Sequence, residues 1–289
     1  DGTKAWTRLL GGSSYDSASS VITDSDGSIY VAGGTNSDLD GQTKSGYTDA
    51  FLSKYNSDGT KAWTRLLGES IFDSASSVTT DSDGSIYVAG YTNGNLDDQT
   101  NSGESDAFIG KYNSDGTKAW TRLLGGSYFD FASSLTAASD GSIYVAGFTY
   151  SNLDDQTNSG ESDAFISKYN SDGTKAWTRL LGGSSSDSAA SVITDSDGSI
   201  YVAGGTNSNL DGQTNGGDRD AFISKYSSDG TKVWTRLLGG SSIDFATSVT
   251  AASNSSIYVA GCTSSNLDGQ TNSGESDAFI SKYNSDYAT

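Results

Sequence analysis

The sequence predicts an all-β fold, a five-bladed β-propeller built from four-stranded antiparallel blades. The segment DGTKAWTRLLG at Asp1 returns four times with at most one change, so that repeats of 57 residues start at positions 1, 58, 115, 172 and 229. Each repeat contains four short clusters of β-branched and aromatic residues separated by glycine-containing turns. Four antiparallel strands in a unit of this length, repeated five times, are typical of propeller blades.

The four strands of a repeat are most easily recognised in the first copy. They are predicted at Lys4–Leu10, Ala18–Thr23, Ser28–Gly33 and Ala50–Tyr55. The connections 23–27 and 56–59 are short and carry Asp-Gly, a dipeptide that accepts the positive φ of a tight hairpin. The connections 11–16 and 34–49 are longer.

The main alternative is a solenoid, which would have parallel coils of about 20–30 residues and distinct end caps. No cap sequence interrupts the five copies. We therefore expect one propeller domain over residues 1–289.

Three stretches of the repeat resemble a known family. They are DSDGSIYVAGGT from Asp24, DAFLSKY from Asp49, and DGTKAWTRLLG from Asp58. Together they are similar to the bacterial β-propeller repeat called SBBP, and the resemblance covers all five copies. It implies the propeller fold and says little about function. The family's name implies seven blades, whereas this chain has five copies.

The resemblance also gives an expectation for how the ring closes. In related propellers the strand equivalent to Ala18–Thr23 lies innermost, which makes Lys4–Leu10 an outermost strand. The last repeat ends with its third strand, Ala278–Tyr283. We therefore expect Lys4–Leu10 to complete the last blade in a 3+1 clasp, since closure removes exposed strand edges.

Composition excludes several classes of function. Lys and Arg total 17 against 36 Asp and Glu, a formal net charge of −19, and such a surface repels nucleic acids and anionic membranes. It is compatible with cations, neutral sugars or basic proteins, and it also favours solubility. The chain has no His and a single Cys, Cys262, which excludes an intrachain disulfide and a Cys/His zinc site.

The expected location is outside the cell or at its surface. No apolar run approaches the roughly 20 residues of a membrane span, so no membrane insertion is expected. The sequence has no Met and no recognisable signal peptide, which we interpret as a processed product or a fragment.

The long connections carry the most drastic differences among the copies, including aromatic residues in some of them. Exposed rings on loops suit stacking on sugars or contact with a protein. The alternative is that these rings fill gaps between loops or vary neutrally. The candidate ligand-binding residues are Tyr15, Phe72, Tyr91, Tyr128, Phe129, Phe148 and Tyr150.

Two sets of invariant carboxylates are candidate cation ligands, with calcium as the possible cofactor. Members of the first set open the inner strands, where they would ring a channel mouth, unless they accept hydrogen bonds from their own loops. The second set lies in Leu-Asp-(Gly/Asp)-Gln-Thr segments on the same side, without the spacing of an EF-hand. The first set is Asp16, Asp73, Asp130, Asp187 and Asp244, and the second is Asp40, Asp97, Asp154, Asp211 and Asp268.

A third acidic segment is interpreted differently. Asp24-Ser25-Asp26-Gly27 resembles a calcium loop, but the equivalent residues of the fifth copy, 252–255, read Ala-Ser-Asn-Ser and contain no carboxylate. We therefore predict a hairpin turn at this position.

The residues favour binding over catalysis. No His can act as a general base, no motif of a serine hydrolase is present, and Cys262 has no basic neighbour in sequence. The leading hypothesis is a non-catalytic, multivalent recognition module, lectin-like in binding carbohydrate or a protein ligand on the long-loop face. The first alternative is a structural or scaffold propeller that mediates assembly. The second is a glycosidase that uses two carboxyl groups in one pocket.

Overall fold

The computed structural model describes residues 1–69 and 71–284, so Ser70 and the last five residues of the predicted domain lie outside it. The chain divides into two compact units, Asp1–Ala132 and Ser133–Thr289. The fold is all-β, with antiparallel sheets that have the strand pattern of propeller blades.

The first unit contains two four-stranded blades in which consecutive strands pair antiparallel. The first blade is β1 (Asp16–Thr23), β2 (Ile29–Thr35), β3 (Asp49–Tyr55) and β4 (Lys61–Leu67). The second blade is β5 (Asp73–Thr80), β6 (Ile86–Thr92), β7 (Asp106–Tyr112) and β8 (Lys118–Leu124).

The remaining strands form three further blades, all but the start of β9 lying in the second unit. The third blade is β9 (Asp130–Ala137), β10 (Ile143–Thr149), β11 (Asp163–Tyr169) and β12 (Lys175–Leu181). The fourth is β13 (Asp187–Thr194), β14 (Ile200–Thr206), β15 (Asp220–Tyr226) and β16 (Lys232–Leu238). The fifth has three strands, β17 (Asp244–Ala251), β18 (Ser256–Thr263) and β19 (Asp277–Asn284).

The predicted strands and short turns are confirmed within a few residues, except for the first predicted strand, Lys4–Leu10. Gly27 has a φ of 81°, and the Asp26 carboxylate accepts a hydrogen bond from the Ser28 amide at 2.7 Å. The Asp-Gly sequence therefore closes a hairpin, as expected for 24–27. In the fifth copy Ser255 takes the same left-handed conformation, with a φ of 61°.

The middle strands of a blade are buried on both faces because blades stack against one another. In the fourth blade every residue of β14 is buried, while β16 is exposed at its start and partly buried along its length. Between the first two blades, Tyr30, Leu52 and Leu67 pack in one core with Val88 and Phe108. This apolar burial, about 25 cal/mol per Å2, is the main stabilising term of the fold.

The predicted 3+1 clasp is not seen. Residues 4–10 form no strand, and the last sheet is three-stranded. The N-terminal segment lies instead on the turn between β3 and β4: the Trp6 indole donates to the Ser57 carbonyl at 3.3 Å and the Arg8 Nε to the Gly59 carbonyl at 2.9 Å. Lys4–Leu10 thus keeps its contacts to the first blade without a sheet partner.

Within the described part of the chain, no helix is long and apolar enough to cross a lipid bilayer.

Candidate binding face

The long connections of each blade form what we call the long-loop face: the segments between its second and third strands, and those leading from its last strand to the next blade. In the first unit these are 36–48, 68–72, 93–105 and 125–129. Neighbouring connections are joined by short parallel bridges, Thr48 with Phe72 in the first unit and Ser162 with Ser186 in the second. The Asp73 amide also donates to the Thr48 carbonyl at 2.9 Å. The backbone of this face is therefore held by hydrogen bonds between adjacent blades.

The first set of carboxylates caps the loops that precede the inner strands. Gly12 donates its amide to Asp16 at 2.9 Å, and Gly183 and Gly240 donate theirs to Asp187 and Asp244 at 2.8 Å. Asp187 and Asp244 are fully buried. One oxygen of each of these carboxylates is bound by its own loop, as in the alternative that the sequence left open, whereas the Oδ1 atoms of Asp187 and Asp244 are buried and accept no hydrogen bond.

The second set ties the long connection to the outer strand. Asp40 has a φ of 52°, and its carboxylate accepts hydrogen bonds from Lys61 and Thr64. Burial opposes its ionisation, but these two hydrogen bonds outweigh burial and lower the pKa of Asp40. Asp97, Asp154 and Asp211 make the same contacts in the next three blades.

A further invariant Asp lies at the start of each third strand. Ser159 donates its amide to Asp163 Oδ2 at 2.9 Å and Gly216 donates to Asp220 Oδ2 at 3.0 Å. The Oδ1 atoms of Asp163 and Asp220 are buried and accept no hydrogen bond. Burial raises the pKa of both carboxyls, and the nearby charge of Asp244 contributes to the shift of Asp220.

The hydrogen bonds described above join these carboxylates to groups of the protein itself. No group of three or more Asp, Glu or Cys side chains able to share a metal ion occurs among residues 1–69 and 71–284. Calcium binding by either set of carboxylates stays a prediction.

Replacing Asp163 with Asn should raise the free energy of unfolding at neutral pH. An acid whose pKa is higher in the folded state binds protons more readily when folded, so it destabilises the protein at neutral pH and this penalty fades as pH falls towards that pKa. The substitution removes the buried charge, so stability should also depend less on pH between neutral and mildly acidic conditions. Thermal melts across that range measure both effects.

The matched control is Asp38→Asn, because Asn occupies this position in the other four copies. Asp38 is exposed, and its Oδ1 accepts from the Lys44 amide at 3.0 Å as Asn95 Oδ1 accepts from Asn101. The Asp38→Asn substitution should leave the dependence of stability on pH nearly unchanged. A marked loss of stability in Asp163→Asn at neutral pH would contradict the account and point to a bound cation, which repeating the melts with calcium would reveal.

The candidate aromatic residues divide into exposed and partly buried ones. Tyr15 is 85% exposed and Tyr128 58%, whereas Phe129 and Phe72 are close to 40%. Tyr150 is also exposed, and Tyr91 and Phe148 are partly buried. Tyr91 and Phe148 belong to β6 and β10, so they border the long connections, in which the sequence had placed them.

Some rings are brought together that the sequence did not connect. Phe131, which lies in β9 and was not among the candidates, packs edge-on against Tyr91 with ring centroids 4.9 Å apart. It lies parallel to Phe129 at 6.2 Å. We call Tyr91, Phe129 and Phe131 the aromatic cluster. The other contacts are Tyr47 with Phe72 at 5.4 Å and Phe148 with Tyr150 at 6.0 Å.

The fourth and fifth copies build a different local surface at the equivalent place. The Arg219 guanidinium lies 4.5 Å from the centre of the Phe245 ring, and its Nη2 donates to Ser188 Oγ at 2.6 Å. Burial lowers the pKa of Arg219. Cys262, which replaces Tyr91 in the fifth copy, is exposed. The long-loop face thus combines a repeated backbone with side chains that differ from blade to blade.

Comparisons with known proteins agree with the fold. The family model of the SBBP β-propeller repeat matches residues 5–40, 62–97, 176–211 and 233–268. A β-propeller domain of unknown function, DUF5122, matches residues 138–175.

Two curated proteins are similar in sequence. The regulatory protein FlaEY of Caulobacter vibrioides is 30% identical over 232 residues, which is 70% of this chain and 24% of that protein. The uncharacterized WD repeat-containing protein L264 of Acanthamoeba polyphaga mimivirus is 27% identical over 188 residues, 52% of this chain and 14% of that protein. The chain therefore spans a quarter or less of these relatives.

Solved structures with some likeness are more distant. A protein of unknown function from Bacteroides caccae has a TM-score of 0.44 at 10% identity, with 84% of this chain and 69% of that chain covered. Virginiamycin B lyase from Staphylococcus aureus has a TM-score of 0.39 at 12% identity, with 92% and 84% covered.

Proposed function

We propose, for a chain whose repeats belong to the SBBP β-propeller repeat family, a non-catalytic recognition role in which the long-loop face binds its ligand at several blades. The observation that supports this most is the exposure of aromatic rings on that face, among them Tyr15, Tyr128 and Tyr150. The loop hydrogen bonds hold the backbone beneath them in place. A rigid scaffold that presents variable loop residues is a common arrangement for binding sites.

A neutral carbohydrate is the ligand class we propose for this face. Aromatic rings offer apolar faces on which sugar rings can stack, and their hydroxyl groups add hydrogen bonds. The net charge of −19 disfavours anionic ligands. Several weak sites on one chain would raise the overall affinity without a strong single contact. Such a module suits an exported or surface protein.

A non-catalytic role is supported by the way the carboxylates are used. Asp40 and its equivalents in the second to fourth blades are engaged by Lys and Thr of the outer strand, and Asp16, Asp187 and Asp244 by amides of their own loops. A glycosidase would need two carboxyl groups about 5–9.5 Å apart across one sugar site. Clear turnover in a screen of chromogenic glycosides would overturn this part of the proposal.

A glycan array probed at high protein concentration, with and without calcium, tests the recognition role. We expect binding to a family of related neutral glycans, and an increase with calcium if the predicted cation sites are occupied. Absence of binding in both conditions would contradict the carbohydrate proposal.

A scaffold role is the second candidate, and one observation favours it. Strand β19 has no partner on its outer edge within the described residues, and an unpaired edge is a template for pairing with another chain. Sedimentation over a range of protein concentrations tests the scaffold role, because a strictly monomeric protein would not act as an assembly unit.

A further inference from the structure

The first blade presents an open apolar face. The equivalent face of the second blade is covered by the first blade. At the junction of the first two blades, Val78, Val88 and Phe108 are buried. Their repeat equivalents in the first blade line an open groove of about 360 Å3 together with Trp6 and Leu10. Val21 is 65% exposed, whereas Val78 is 5% exposed. The six equivalents on this groove are Ala18, Val21, Ile29, Val31, Phe51 and Tyr55.

The N-terminal segment already lies on the first blade as an outer strand of a preceding blade would. Trp63 in β4 donates to the Ser114 carbonyl at 3.3 Å and Arg65 Nε to the Gly116 carbonyl at 2.8 Å. Trp6 and Arg8 make the same two bonds one repeat earlier. Residues 4–10 therefore occupy the position of a β4-type strand, but without the three-stranded sheet to which such a strand belongs.

The fifth blade lacks an outer strand among the described residues. Its last strand, β19, ends a three-stranded sheet, and Ile280 on this strand is 74% exposed although its equivalent in the fourth blade, Ile223, is 1% exposed. A groove of about 380 Å3 runs along this edge, lined by Asp268, Gln270 and Ile280 among others.

The polar residues of this groove are those that hold an outer strand in other blades. In the first blade, Gln42 Nε2 donates to the Thr64 carbonyl at 2.6 Å and Gln42 Oε1 accepts from the Leu66 amide at 3.2 Å. Gln270 and Asp268 are the repeat equivalents of Gln42 and Asp40. The groove thus has the hydrogen-bonding groups that select a strand of the sequence KAWTRLL.

We propose that these two ends bind each other between copies of the chain. The segment Lys4–Leu10 of one copy adds to β19 of a second copy as its fourth strand, and the apolar face of the first blade covers the fifth blade. In the fourth blade Ala221 pairs with Leu238 and Ile223 with Arg236. The same register places Leu10 opposite Ala278 and Arg8 opposite Ile280.

The proposed contact includes an ion pair and joins two different surfaces. Lys4 takes the position from which Lys61 binds Asp40, so it meets Asp268 and supplies one attractive pair between two acidic chains. The two surfaces differ, so the contact is heterologous and produces open chains or rings of copies, not isolated twofold dimers. This assembly is independent of any ligand on the long-loop face.

Sedimentation of the full chain over a range of concentrations tests the proposal. We expect concentration-dependent association beyond a dimer, and Ile280→Arg should weaken the association at least about tenfold, because it places a charge in an apolar contact. The control is Val233→Ala, which puts the residue of the other four copies at an exposed position on the outer strand of the fourth blade. It should associate like the unchanged chain.

Cross-linking distinguishes contact between copies from contact within one copy. In a Cys262→Ser background, Arg8→Cys and Ile280→Cys are made in separate chains, which are then mixed and oxidised. A disulfide-linked dimer of one chain of each type is expected. A chain that stays monomeric at every concentration, or an Arg8→Cys/Ile280→Cys double variant that cross-links only within a monomer, would overturn the proposal.

Discussion

Replacing Ile223 with Ala should lower the free energy of unfolding by about 2–5 kcal/mol, the usual cost of removing a large aliphatic side chain from a core. Ile223 lies in β15 and is 1% exposed. It packs in one cluster with Tyr201, Val249 and Ile257, the last two from the fifth blade. The truncation leaves a cavity between two stacked blades, which chemical denaturation monitored by fluorescence measures.

The matched control is Ile280→Ala, the same residue at the same position of the next repeat. Ile280 is 74% exposed, and exposed substitutions usually change stability by less than about 0.5 kcal/mol. At protein concentrations too low for association, this variant should unfold like the unchanged chain. Equal losses for the two variants would mean that the outer face of the fifth blade is covered within a single copy.

Replacing Gly204 with Ala should cost about 3 kcal/mol, the upper end of the usual cost of overpacking. Gly204 lies in β14, opposite Ala189, where a bulge shifts the register between Ala189 and Ser191. A Cβ atom at Gly204 would lie 2.0 Å from the Ser188 carbonyl oxygen. Backbone atoms of a paired strand cannot move aside as a flexible side chain can, so β13 must separate from β14.

Gly274→Ala serves as the control for this substitution. Gly274 lies in a long connection, and a Cβ atom there would meet nothing within 4 Å. The free energy of unfolding of the Gly274→Ala protein should therefore stay within about 0.5 kcal/mol of that of the unchanged chain. Thermal denaturation of the two variants side by side checks the prediction, and a Gly204→Ala protein as stable as Gly274→Ala would contradict the close strand approach.

The blades could be predicted from the sequence because their determinants are local. The clusters at Ala18–Thr23 and Ala50–Tyr55 alternate with turns whose Asp-Gly pairs accept positive φ, and both lie within strands of the structure. Five near-identical copies made the same pattern visible five times. Repetition also implied that consecutive strands pair, as they do in each blade.

The clasp could not be predicted correctly because repeat identity fixes which strand a segment resembles, not which copy supplies its partner. Lys4–Leu10 makes the contacts of an outer strand to the following blade, but its sheet partner depends on long-range geometry. For the same reason the sequence could not decide what Asp187 does, since an invariant Asp is equally compatible with a cation and with the amide of Gly183 that it binds.

The aromatic cluster was recognised only in part. Phe131 was overlooked because it lies between an invariant Asp and the start of a predicted strand, where an aromatic residue suggests packing. Its position is Ser in the first, second and fourth copies, and that change from a small polar residue to a ring was the signal that could have identified it. Arg219, which replaces Ser or Thr of the other copies, gave the same kind of signal.

The measurement that tests recognition by the long-loop face most directly compares the affinity of one array-selected glycan for three proteins. The first is the unchanged chain. The second is Tyr15→Ser/Tyr128→Ser/Tyr150→Asn, in which each substituted residue is the one found in the fourth copy, so the fold should tolerate it. The third is the control Val233→Ala, which restores the residue of the other four copies at an exposed outer-strand position.

Titration calorimetry should show at least about a tenfold loss of affinity for the triple variant, since rings that stack on a ligand carry much of its binding energy. Val233→Ala should bind like the unchanged chain. If the triple variant is folded and binds the glycan as tightly as the other two proteins, the exposed rings are not the recognition site and the central claim is contradicted.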